Sequence, residues 1–364
     1  MTVSTQLDVR IGHPGPSFLG LDAGERNREV ARRAATQDPA LAGTLHVPDD
    51  SVVVTPALFE WLPREGSWQI DWQSDRHPLV WEAASGSRAV GRATAPHGAV
   101  LDVQTPQARR QAAWTLLRRS GKPTDGWLSR HVHRKVSRVL SYMLLGLGLR
   151  ANDATFLTIG IGALSAGFIA QTSHVTMIVG WFLFWFASVA DGVDGEMARM
   201  TLSESALGEQ LDTFADAFTY VLCFAATMIG WVRQGIGRDG LILGTIVAVA
   251  LPSTFLWGMH IVRRAAGSSV FFVETKPIEL ALKDAAETTG ASTLRLASTI
   301  FVLFRREAFS LALFVGSFLT AWRGLVPAGI AGGLLVVLAT FAAYHRELDR
   351  ALRARLAPSA FTLS

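Results

Sequence analysis

Residues 191–216 read DGVDGEMARMTLSESALGEQLDTFAD and follow directly on an apolar segment of membrane-spanning length. This stretch contains Asp191, Asp194, Asp212 and Asp216. On helices, the first two share one face and the last two share another, so antiparallel packing of the helices brings both pairs together. Charged groups at the edge of a membrane are costly unless they are paired, hydrated or bound to a metal. The spacing therefore predicts a cation site.

The residue types in this stretch indicate which cation and which ligand the site suits. Ligands that are all carboxylate oxygens favour a hard divalent cation, Mg²⁺ or Mn²⁺, over zinc. Gly195 and Gly208 allow a nucleotide or a neighbouring helix to approach closely, and Arg199 can contact phosphate or a carboxylate. The alternative interpretation is that the acids only cap helices and form ion pairs with Arg199.

Apolar segments lie on both sides of the aspartates. A helical span needs about 20 mainly apolar residues, and the segments that approach this length are 153–171, 174–190, 210–232, 240–262, 307–322 and 325–344. They predict an α-helical integral membrane protein with six transmembrane helices. Lys and Arg are frequent before the first span and absent from 171–174. The positive-inside rule therefore places both termini and the aspartates on the cytoplasmic side of an inner or plasma membrane.

The regions outside the spans have a different character. Residues 1–120 contain no span-length apolar run and predict a small cytosolic α/β domain, with strands at 51–55 and 99–103 and a helix at 106–119. Residues 121–150 predict a linker and an amphipathic helix, which lies at the membrane interface or, alternatively, in solution. Residues 151–346 make up the predicted membrane domain, and residues 347–364 a basic cytosolic tail.

Charge and cysteine content exclude some kinds of protein. The formal net charge is +4, but many Lys and Arg residues lie beside apolar segments, which argues against a nucleic-acid partner. The single cysteine, Cys223, lies in an apolar run, so an intrachain disulfide is excluded and a packing role is expected. The polar amino terminus carries no recognisable signal peptide, so the internal spans are expected to direct insertion.

The motif resembles the signature of the CDP-alcohol phosphotransferase family: D-x-x-D-G-x-x-A-R, eight residues, G-x-x-x-D-x-x-x-D. Every fixed position is matched, by Asp191, Asp194, Gly195, Ala198, Arg199, Gly208, Asp212 and Asp216. The resemblance implies six transmembrane helices, a homodimer, CDP held near the glycines, and two divalent ions bound by the four aspartates. It also implies that Asp216 is the general base, and the alternative role for this residue is metal ligation alone.

A further element at the start of the first span resembles the same family. Asn152 and Thr155 match its P-N-x-x-T element, although Ala151 replaces the proline. The two polar side chains either contact the nucleotide together with Gly195, Ala198, Arg199 and Gly208 or simply cap the helix.

The family resemblance implies Mg²⁺-dependent transfer of a phosphoalcohol group from a CDP-alcohol to an acceptor hydroxyl, with release of CMP. Arginines that flank the predicted fourth and fifth spans are candidates for binding a phosphorylated acceptor. They are Arg263, Arg264, Arg305 and Arg306. The alternative is that they anchor the spans as ordinary positive-inside residues.

A second resemblance bears on the donor. LDVQTP at 101–106 and KPTDGWLSR at 122–130 are similar to the junction in proteins that fuse an inositol-phosphate cytidylyltransferase to a di-inositol-phosphate-phosphate synthase. This implies CDP-inositol or a similar CDP-polyol as donor and an inositol phosphate-like acceptor. The Gly-rich opening loop of the cytidylyltransferase is missing, so residues 1–120 are interpreted as a truncated, inactive nucleotidyltransferase, or as an unrelated α/β pattern.

Three other functions compete with this interpretation. A phospholipid synthase would use CDP-diacylglycerol with a polar alcohol or its phosphate. A carboxylate-lined cation transporter would need a path across the membrane, whereas the acids lie near one face. An inactive membrane scaffold would not need every position of the signature intact.

Overall fold

The structure is a computed structural model that describes residues 7–11, 17–47, 52–72, 78–121, 126–235, 275–303, 306–319 and 322–356, with isolated positions between 238 and 253. The chain forms two compact units. The first, called the amino-terminal unit here, comprises Met1–Gly121, Arg138–Ala151 and Asp194–Ser205. The second, called the helical unit, comprises Lys122–Ser137, Asn152–Val193 and Ala206–Ser364.

The described residues among the first 121 form short strands and three helices. In chain order the elements are β1 (Leu7–Ile11), β2 (Ser17–Phe18), β3 (Leu21–Asp22), α1 (Ala23–Gln37), β4 (Gly43–Val47), β5 (Val52–Val54), α2 (Pro56–Trp61), β6 (Glu65–Asp71), β7 (Leu79–Ala83), β8 (Ser85–Thr94), β9 (Val100–Asp102) and α3 (Pro106–Arg119).

A five-stranded mixed sheet organises the amino-terminal unit, in the order β1-β4-β7-β6-β8. The outer pairs β1–β4 and β6–β8 are parallel, and the inner pairs are antiparallel. Alternation along β4 buries Leu45 and Val47 while the intervening His46 is half-exposed, as expected for a sheet with one covered face. Trp81 is fully buried in the same core, and its indole N–H donates to the Pro63 carbonyl at 2.8 Å.

The elements predicted between residues 51 and 119 are present. Strands β5 and β9 pair antiparallel, with Val53 opposite Leu101. Helix α3 begins where Thr105 accepts a hydrogen bond from the Ala108 amide at 3.1 Å, and Pro106 occupies the first helical position. This is the capping chemistry that the sequence indicates, because proline lacks the amide hydrogen that would otherwise be unsatisfied there.

The remainder of the described chain is helical. A π-helical turn at Ser129–His133 leads into α4 (Arg134–Gly146), which confirms that the segment predicted to be amphipathic is helical. The helices that follow are α5 (Ala151–Ile169), α6 (His174–Ala190), α7 (Gly192–Thr201), α8 (Ala206–Arg233), α9 (Thr275–Thr289), α10 (Ser292–Leu303), α11 (Arg306–Gly316), α12 (Trp322–Ala343) and α13 (His345–Leu356).

Within the described residues, three helices are long and apolar enough to cross a membrane: Ala151–Ile169, His174–Thr201 and Ala206–Arg233. They coincide with the first three predicted spans. Large apolar side chains such as Phe156, Leu164 and Val221 are exposed on them, as expected for surfaces that face lipid. These features indicate a membrane protein.

The last three predicted spans differ in length and in how much of each the structure describes. The fourth, at 240–262, lies outside the continuously described residues. Helix α11 has 11 residues, about 16 Å of helix, which is shorter than the ~30 Å hydrocarbon layer. Helix α12 has 22 residues, enough to span. The six-span count therefore stays a prediction.

The predicted carboxyl-terminal tail is helical over much of its length. Leu348 and Leu352 of α13 are buried against Leu282 of α9, Leu294 of α10 and Phe341 of α12. A strongly basic sequence thus also carries an apolar stripe at helical spacing, which fixes it to the rest of the helical unit.

Candidate metal centre

The local fold of the helical unit positions three of the four aspartates. Helix α6 ends at Ala190, and the Asp191 amide donates to the Ala187 carbonyl at 2.9 Å, so Asp191 still has helical backbone geometry. It lies at the end of the apolar part of that helix. Asp212 and Asp216 lie four residues apart on α8, a separation that puts both carboxylates on one face.

The carboxylates of Asp191, Asp212 and Asp216 lie together. Each offers one oxygen, and these oxygens are all within 4.8 Å of one another, at half-buried side chains. At an effective dielectric constant of about 20, two unit charges at that distance repel by roughly 3 kcal/mol. A shared cation offsets such repulsion, so the arrangement is one that a cation stabilises.

The donor set fits a hard divalent ion. Ligand oxygens in an octahedral Mg²⁺ shell with bonds of about 2.1 Å are roughly 3 to 4 Å apart. The oxygens of this cluster lie within 4.8 Å of one another, so side-chain movements of under about an ångström suffice to reach that range. Carboxylates alone, without sulfur or imidazole, are also the donors that Mg²⁺ and Mn²⁺ prefer.

Asp194 has a different environment from the three clustered acids. It lies on α7 in the part of the chain that groups with the amino-terminal unit, and its Oδ1 accepts a hydrogen bond from the Gly195 amide at 2.6 Å. The cluster found among the described residues consists of Asp191, Asp212 and Asp216. Metal ligation by Asp194 stays a prediction.

Gly195 and Arg199 pack against each other on α7. A Cβ added at Gly195 would lie 3.1 Å from Nη1 of Arg199, so the absent side chain is what lets the guanidinium fold back along the helix. Gly208 lies in the first turn of α8, four residues before Asp212. Ala198 is half-buried on α7. Nucleotide binding by these residues stays a prediction.

Arg134 is a buried charge that the sequence interpretation did not include in the site. It is 6% exposed, and its Nη1 lies 3.0 Å from the position of a Cβ added at Gly192, next to Asp191 in the chain. The only signal in the sequence was a basic residue within an amphipathic helix, which positive-inside anchoring also explains.

Glu196 is a second buried charge that the interpretation passed over. Its side chain is fully buried within the amino-terminal unit, and its Oε2 accepts a hydrogen bond from Ser141 Oγ of α4 at 2.7 Å. In the signature it occupies a variable position, so no motif singled it out. The bond ties the signature helix to α4.

The remaining predicted site residues fall in three classes. Thr155 is buried in the first turns of α5 whereas Asn152 is exposed, so the two face different surroundings. Arg263, Arg264 and Arg305 lie outside the described residues. Arg306 begins α11, and its side chain is not described. Acceptor binding by these arginines stays a prediction.

Small residues let α6 and α8, the helices next to the clustered acids, pack closely on α5. A Cβ at Gly162 of α5 would lie 2.7 Å from the Thr219 side chain of α8, one turn beyond Asp216. Ser165 Oγ donates to the Gly180 carbonyl at 2.8 Å, which joins α5 to α6. Cys223 is buried beside Ser165, which confirms its packing role. Such close contacts are the usual means of fixing helices in a membrane.

Comparisons with known proteins identify the part of the chain that holds this cluster. Residues 151–322 match the family model of CDP-alcohol phosphatidyltransferases. The matched segment begins at the first residue of α5, ends at the start of α12, and contains the whole motif between residues 191 and 216.

Curated relatives point in two directions. A bifunctional IPC transferase and DIPP synthase of Thermococcus kodakarensis is 35% identical over 118 residues, 32% of this chain and 26% of that protein. A protein of the same name from Rubrobacter xylanophilus is 31% identical over 176 residues, 48% of this chain and 38% of its own length. A CDP-diacylglycerol–serine O-phosphatidyltransferase of Mycobacterium leprae is 30% identical over 105 residues, 26% of this chain and 34% of that protein. The chain thus spans about a quarter to two fifths of the length of these relatives.

Proposed function

Because residues 151–322 form a domain of the CDP-alcohol phosphatidyltransferase family, a family of transferases, we propose that this membrane protein transfers a phosphoalcohol group from a CDP-alcohol to an acceptor hydroxyl and releases CMP. The observation that carries the proposal is the convergence of carboxylate oxygens from Asp191, Asp212 and Asp216 to within 4.8 Å inside the matched domain. A cluster of this kind suits the binding of a highly anionic pyrophosphate through divalent cations.

The proposed metal site would hold two divalent ions, Mg²⁺ or Mn²⁺, on Asp191, Asp194, Asp212 and Asp216. When bound, such ions neutralise the charge of the pyrophosphate and of the departing CMP. The geometric support is strongest for the three clustered acids. Asp194 joins them on the strength of the signature spacing.

The proposed reaction is a single displacement at phosphorus. The acceptor oxygen forms a bond to the phosphorus that bears the donor alcohol, and the bond from that phosphorus to the bridging oxygen breaks with its electron pair leaving on CMP. The acceptor hydroxyl proton passes to the carboxylate of Asp216, which acts as general base. No covalent intermediate with the chain is required.

Other residues of the signature would bind the nucleotide and the acceptor. Gly195 and Arg199, which pack against each other on α7, are proposed to bind CDP because they match the signature. Asn152, Thr155, Ala198 and Gly208 complete the proposed CDP site by their match to the family pattern. The arginines at 263, 264, 305 and 306 are proposed to bind the phosphate of the acceptor.

The substrate proposal is CDP-inositol or a similar CDP-polyol as donor and an inositol phosphate-like acceptor. It is supported by the relatives whose names contain DIPP synthase activity. The alternative is a phospholipid synthase that uses CDP-diacylglycerol, and the name of the Mycobacterium leprae relative supports it.

The proposed setting is a six-span homodimer in an inner or plasma membrane, with the metal centre and both termini on the cytoplasmic side. Support comes from the distribution of Lys and Arg and from the family. Residues 1–120 are proposed to be a degenerate nucleotidyltransferase without activity of its own.

The test is CMP release by the purified full-length protein with Mg²⁺ or Mn²⁺. CDP-inositol and CDP-diacylglycerol are each paired with inositol phosphate, glycerol phosphate, inositol or serine. We expect release with at least one pair and its loss on chelation. Failure of every pair would count against the transferase proposal, and the pair that reacts decides between the two donors.

Variants of α8 show whether the acids are responsible. Asp212→Asn and Asp216→Asn are each expected to lower turnover by at least about 100-fold while the protein stays folded. Glu209→Gln is the matched control, because Glu209 is an exposed acid on the same helix. Near-normal turnover in an aspartate variant would remove that residue from the mechanism.

A further inference from the structure

The turn that joins the two halves of the signature is held by arginines of α1. This turn, Leu202–Ser205, follows α7 and leads directly into α8. Arg26 Nη1 donates to the Met200 carbonyl at 2.6 Å, and Arg33 Nη2 donates to the Leu202 carbonyl at 2.6 Å. Arg33 also forms an ion pair with Glu204. All these residues belong to the amino-terminal unit.

The end of α7 has a conformation that needs such support. Leu202 has φ +55°, and the Ser203 amide donates to the Ala198 carbonyl at 2.9 Å, the bond that closes a helix through a left-handed residue. Glycine is usual at that position because other residues adopt it at a cost of roughly 1–2 kcal/mol. The conformation persists here with the Leu202 side chain packed against the core of the sheet.

Arg26 and Arg33 donate hydrogen bonds to backbone carbonyls at the end of α7 that have no partner within the helix. The last carbonyls of a helix have no partner within it and carry partial negative charge, which a guanidinium offsets. Arg26 is 3% exposed, lies over the Phe18 ring at 5.6 Å, and has a pKa lowered to about 10 by burial and then by repulsion from Arg33. Burying a guanidinium is costly. The hydrogen bond from Arg26 to the Met200 carbonyl offsets part of this cost and holds the end of α7.

A separate carboxylate orients the second arginine. Glu29, one turn earlier on α1, accepts hydrogen bonds from Arg33 Nε at 2.8 Å and from Arg32 at 2.7 Å. This contact directs the far edge of the Arg33 guanidinium toward Leu202 and Glu204. Arg32 contacts Glu29 and is largely exposed, so it resembles Arg33 in charge and position while making none of the contacts reported between Arg33 and the turn.

We propose that Arg26 and Arg33 are positioning residues for the metal centre: they fix the Leu202–Ser205 turn, through which the chain passes into the helix that carries Asp212 and Asp216. Asp212 lies six residues, about 9 Å of helix, beyond Ala206, so a change at the turn is carried to the carboxylates by a continuous helix. The inference rests on the proposed metal site, and it assigns α1 a role in the activity of the membrane domain.

The test measures Mn²⁺ binding to the purified full-length protein without any CDP-alcohol, from the electron paramagnetic resonance signal of free Mn²⁺. Arg33→Ala is expected to weaken binding by about tenfold, as loss of a supporting residue around a metal site commonly does. Arg33→Lys restores part of the affinity, because an ammonium group reaches one of the two partners. Arg32→Ala, the matched control, leaves the affinity unchanged.

A merely structural role would produce a different result. Arg33→Ala would then lower the thermal midpoint but leave Mn²⁺ affinity as in the wild type, and that outcome overturns the proposal. If Arg33→Ala does not fold, Mn²⁺ binding is measured on Glu204→Gln instead. Glu204 is 43% exposed, and its replacement keeps the hydrogen bond from Arg33 to the Leu202 carbonyl. It is expected to weaken Mn²⁺ binding by about two- to threefold, and unchanged affinity counts against the proposal.

The readouts separate this inference from the proposed function. Weakened Mn²⁺ binding in the arginine variant, with no CMP release from any substrate pair, would uphold the positioning role and refute the transferase. CMP release in Arg33→Ala with the same half-maximal Mn²⁺ concentration as the wild type would uphold the transferase and refute the positioning role. In the active enzyme, the expected change is a higher Mn²⁺ concentration at half-maximal rate, with the rate at saturating Mn²⁺ largely retained.

Discussion

Gly192 lies in a confined position beside Asp191. It follows Asp191 in the chain, and the buried Arg134 guanidinium lies 3.0 Å from the point where its Cβ would be. That separation is shorter than ordinary van der Waals contact, so a methyl group requires the guanidinium to move by a few tenths of an ångström. A side chain that is 6% exposed has little freedom to do so.

We therefore predict that Gly192→Ala weakens Mn²⁺ binding by about two- to fivefold, because displacing Arg134 disturbs the backbone next to Asp191. Alanine is itself a better helix former than glycine by about 1 kcal/mol, so the variant should remain folded. Gly160→Ala is the matched control, since no atom lies within 4 Å of its added Cβ. Equal Mn²⁺ affinity in the two variants would show that Arg134 does not need this space.

At the scale of elements, a buried hydrogen bond between polar side chains joins α4 to α7. Ser141 and Glu196 are both fully buried, and the hydroxyl donates to the carboxylate at 2.7 Å. A hydrogen bond to a charged group is stronger than one between neutral groups, and a buried acceptor that loses a donor is costly. This bond therefore stabilises the helix that carries the first half of the signature.

Ser141→Ala is predicted to lower the free energy of unfolding by about 1–3 kcal/mol, because it removes a donor from a buried carboxylate. Glu196→Gln should lower the free energy of unfolding by less in the Ser141→Ala background than in the wild type. The difference is the coupling energy of a double-mutant cycle, expected to be about 0.5–3 kcal/mol. Chemical denaturation in detergent measures each value. Additive effects of the two substitutions would contradict a direct stabilising contact.

Helix α1 gives a pH-dependent prediction. Hydrogen bonds from Arg32 and then Arg33 lower the pKa of Glu29 to about 2. A carboxyl group whose pKa is lower in the folded state stabilises the protein above its unfolded pKa of about 4.3, and this contribution is lost as pH falls toward 2. The thermal midpoint of Glu29→Gln should thus lie below that of the wild type at pH 6, and the difference should shrink below pH 5. A difference that is constant from pH 6 to pH 3 would exclude ionised Glu29 as the cause.

Local signals in the sequence account for the elements that were predicted correctly. The lengths of the apolar runs located α5, α6 and α8, and the Thr105-Pro106 cap located the start of α3. The convergence of Asp191, Asp212 and Asp216 followed from helical spacing together with the signature. Periodicity and capping are informative over a few turns of helix, and the signature supplied the longer separation between Asp191 and Asp212.

The contacts that could not be predicted are those between residues far apart in the chain. Arg26 and Met200 are 174 residues apart, and Ser141 and Glu196 are 55 apart. In the sequence, Arg26 and Arg33 are simply charges on a helix, the pattern of a solvated face. Only the tertiary structure distinguishes them from Arg32, which has the same residue type and stays largely exposed.

At the scale of the whole molecule, the amino-terminal unit is not a contiguous segment. It includes residues 194–205 of the signature as well as Arg138–Ala151, and its sheet core packs against Leu202. A truncation near residue 120 would therefore remove the partners of Met200 and Leu202, although it leaves the matched family domain intact in sequence. The unit thus contributes to the fold of the signature segment.

The orientation of the spans can be tested with the chain's own cysteine as background. Cys223 is 1% exposed, so wild-type protein in intact cells should not react with a membrane-impermeant maleimide. Thr172 lies in the exposed turn between α5 and α6, and Ser203 in the exposed turn between α7 and α8. Because the positive-inside rule predicts a cytoplasmic location for the end of α5 that follows the basic residues, Thr172→Cys is predicted to be labelled from outside the cell.

Ser203→Cys, by contrast, is predicted to be labelled only after the membrane is permeabilised, because it follows α7 on the predicted cytoplasmic side. That result would place the Arg33 contacts and the proposed metal centre where soluble CDP-alcohols are available. Labelling of Ser203→Cys in intact cells, with protection of Thr172→Cys, would reverse the topology. Labelling of both cysteines from one side would mean that α6 does not cross the membrane, and the acids would then not lie at the cytoplasmic end of a span.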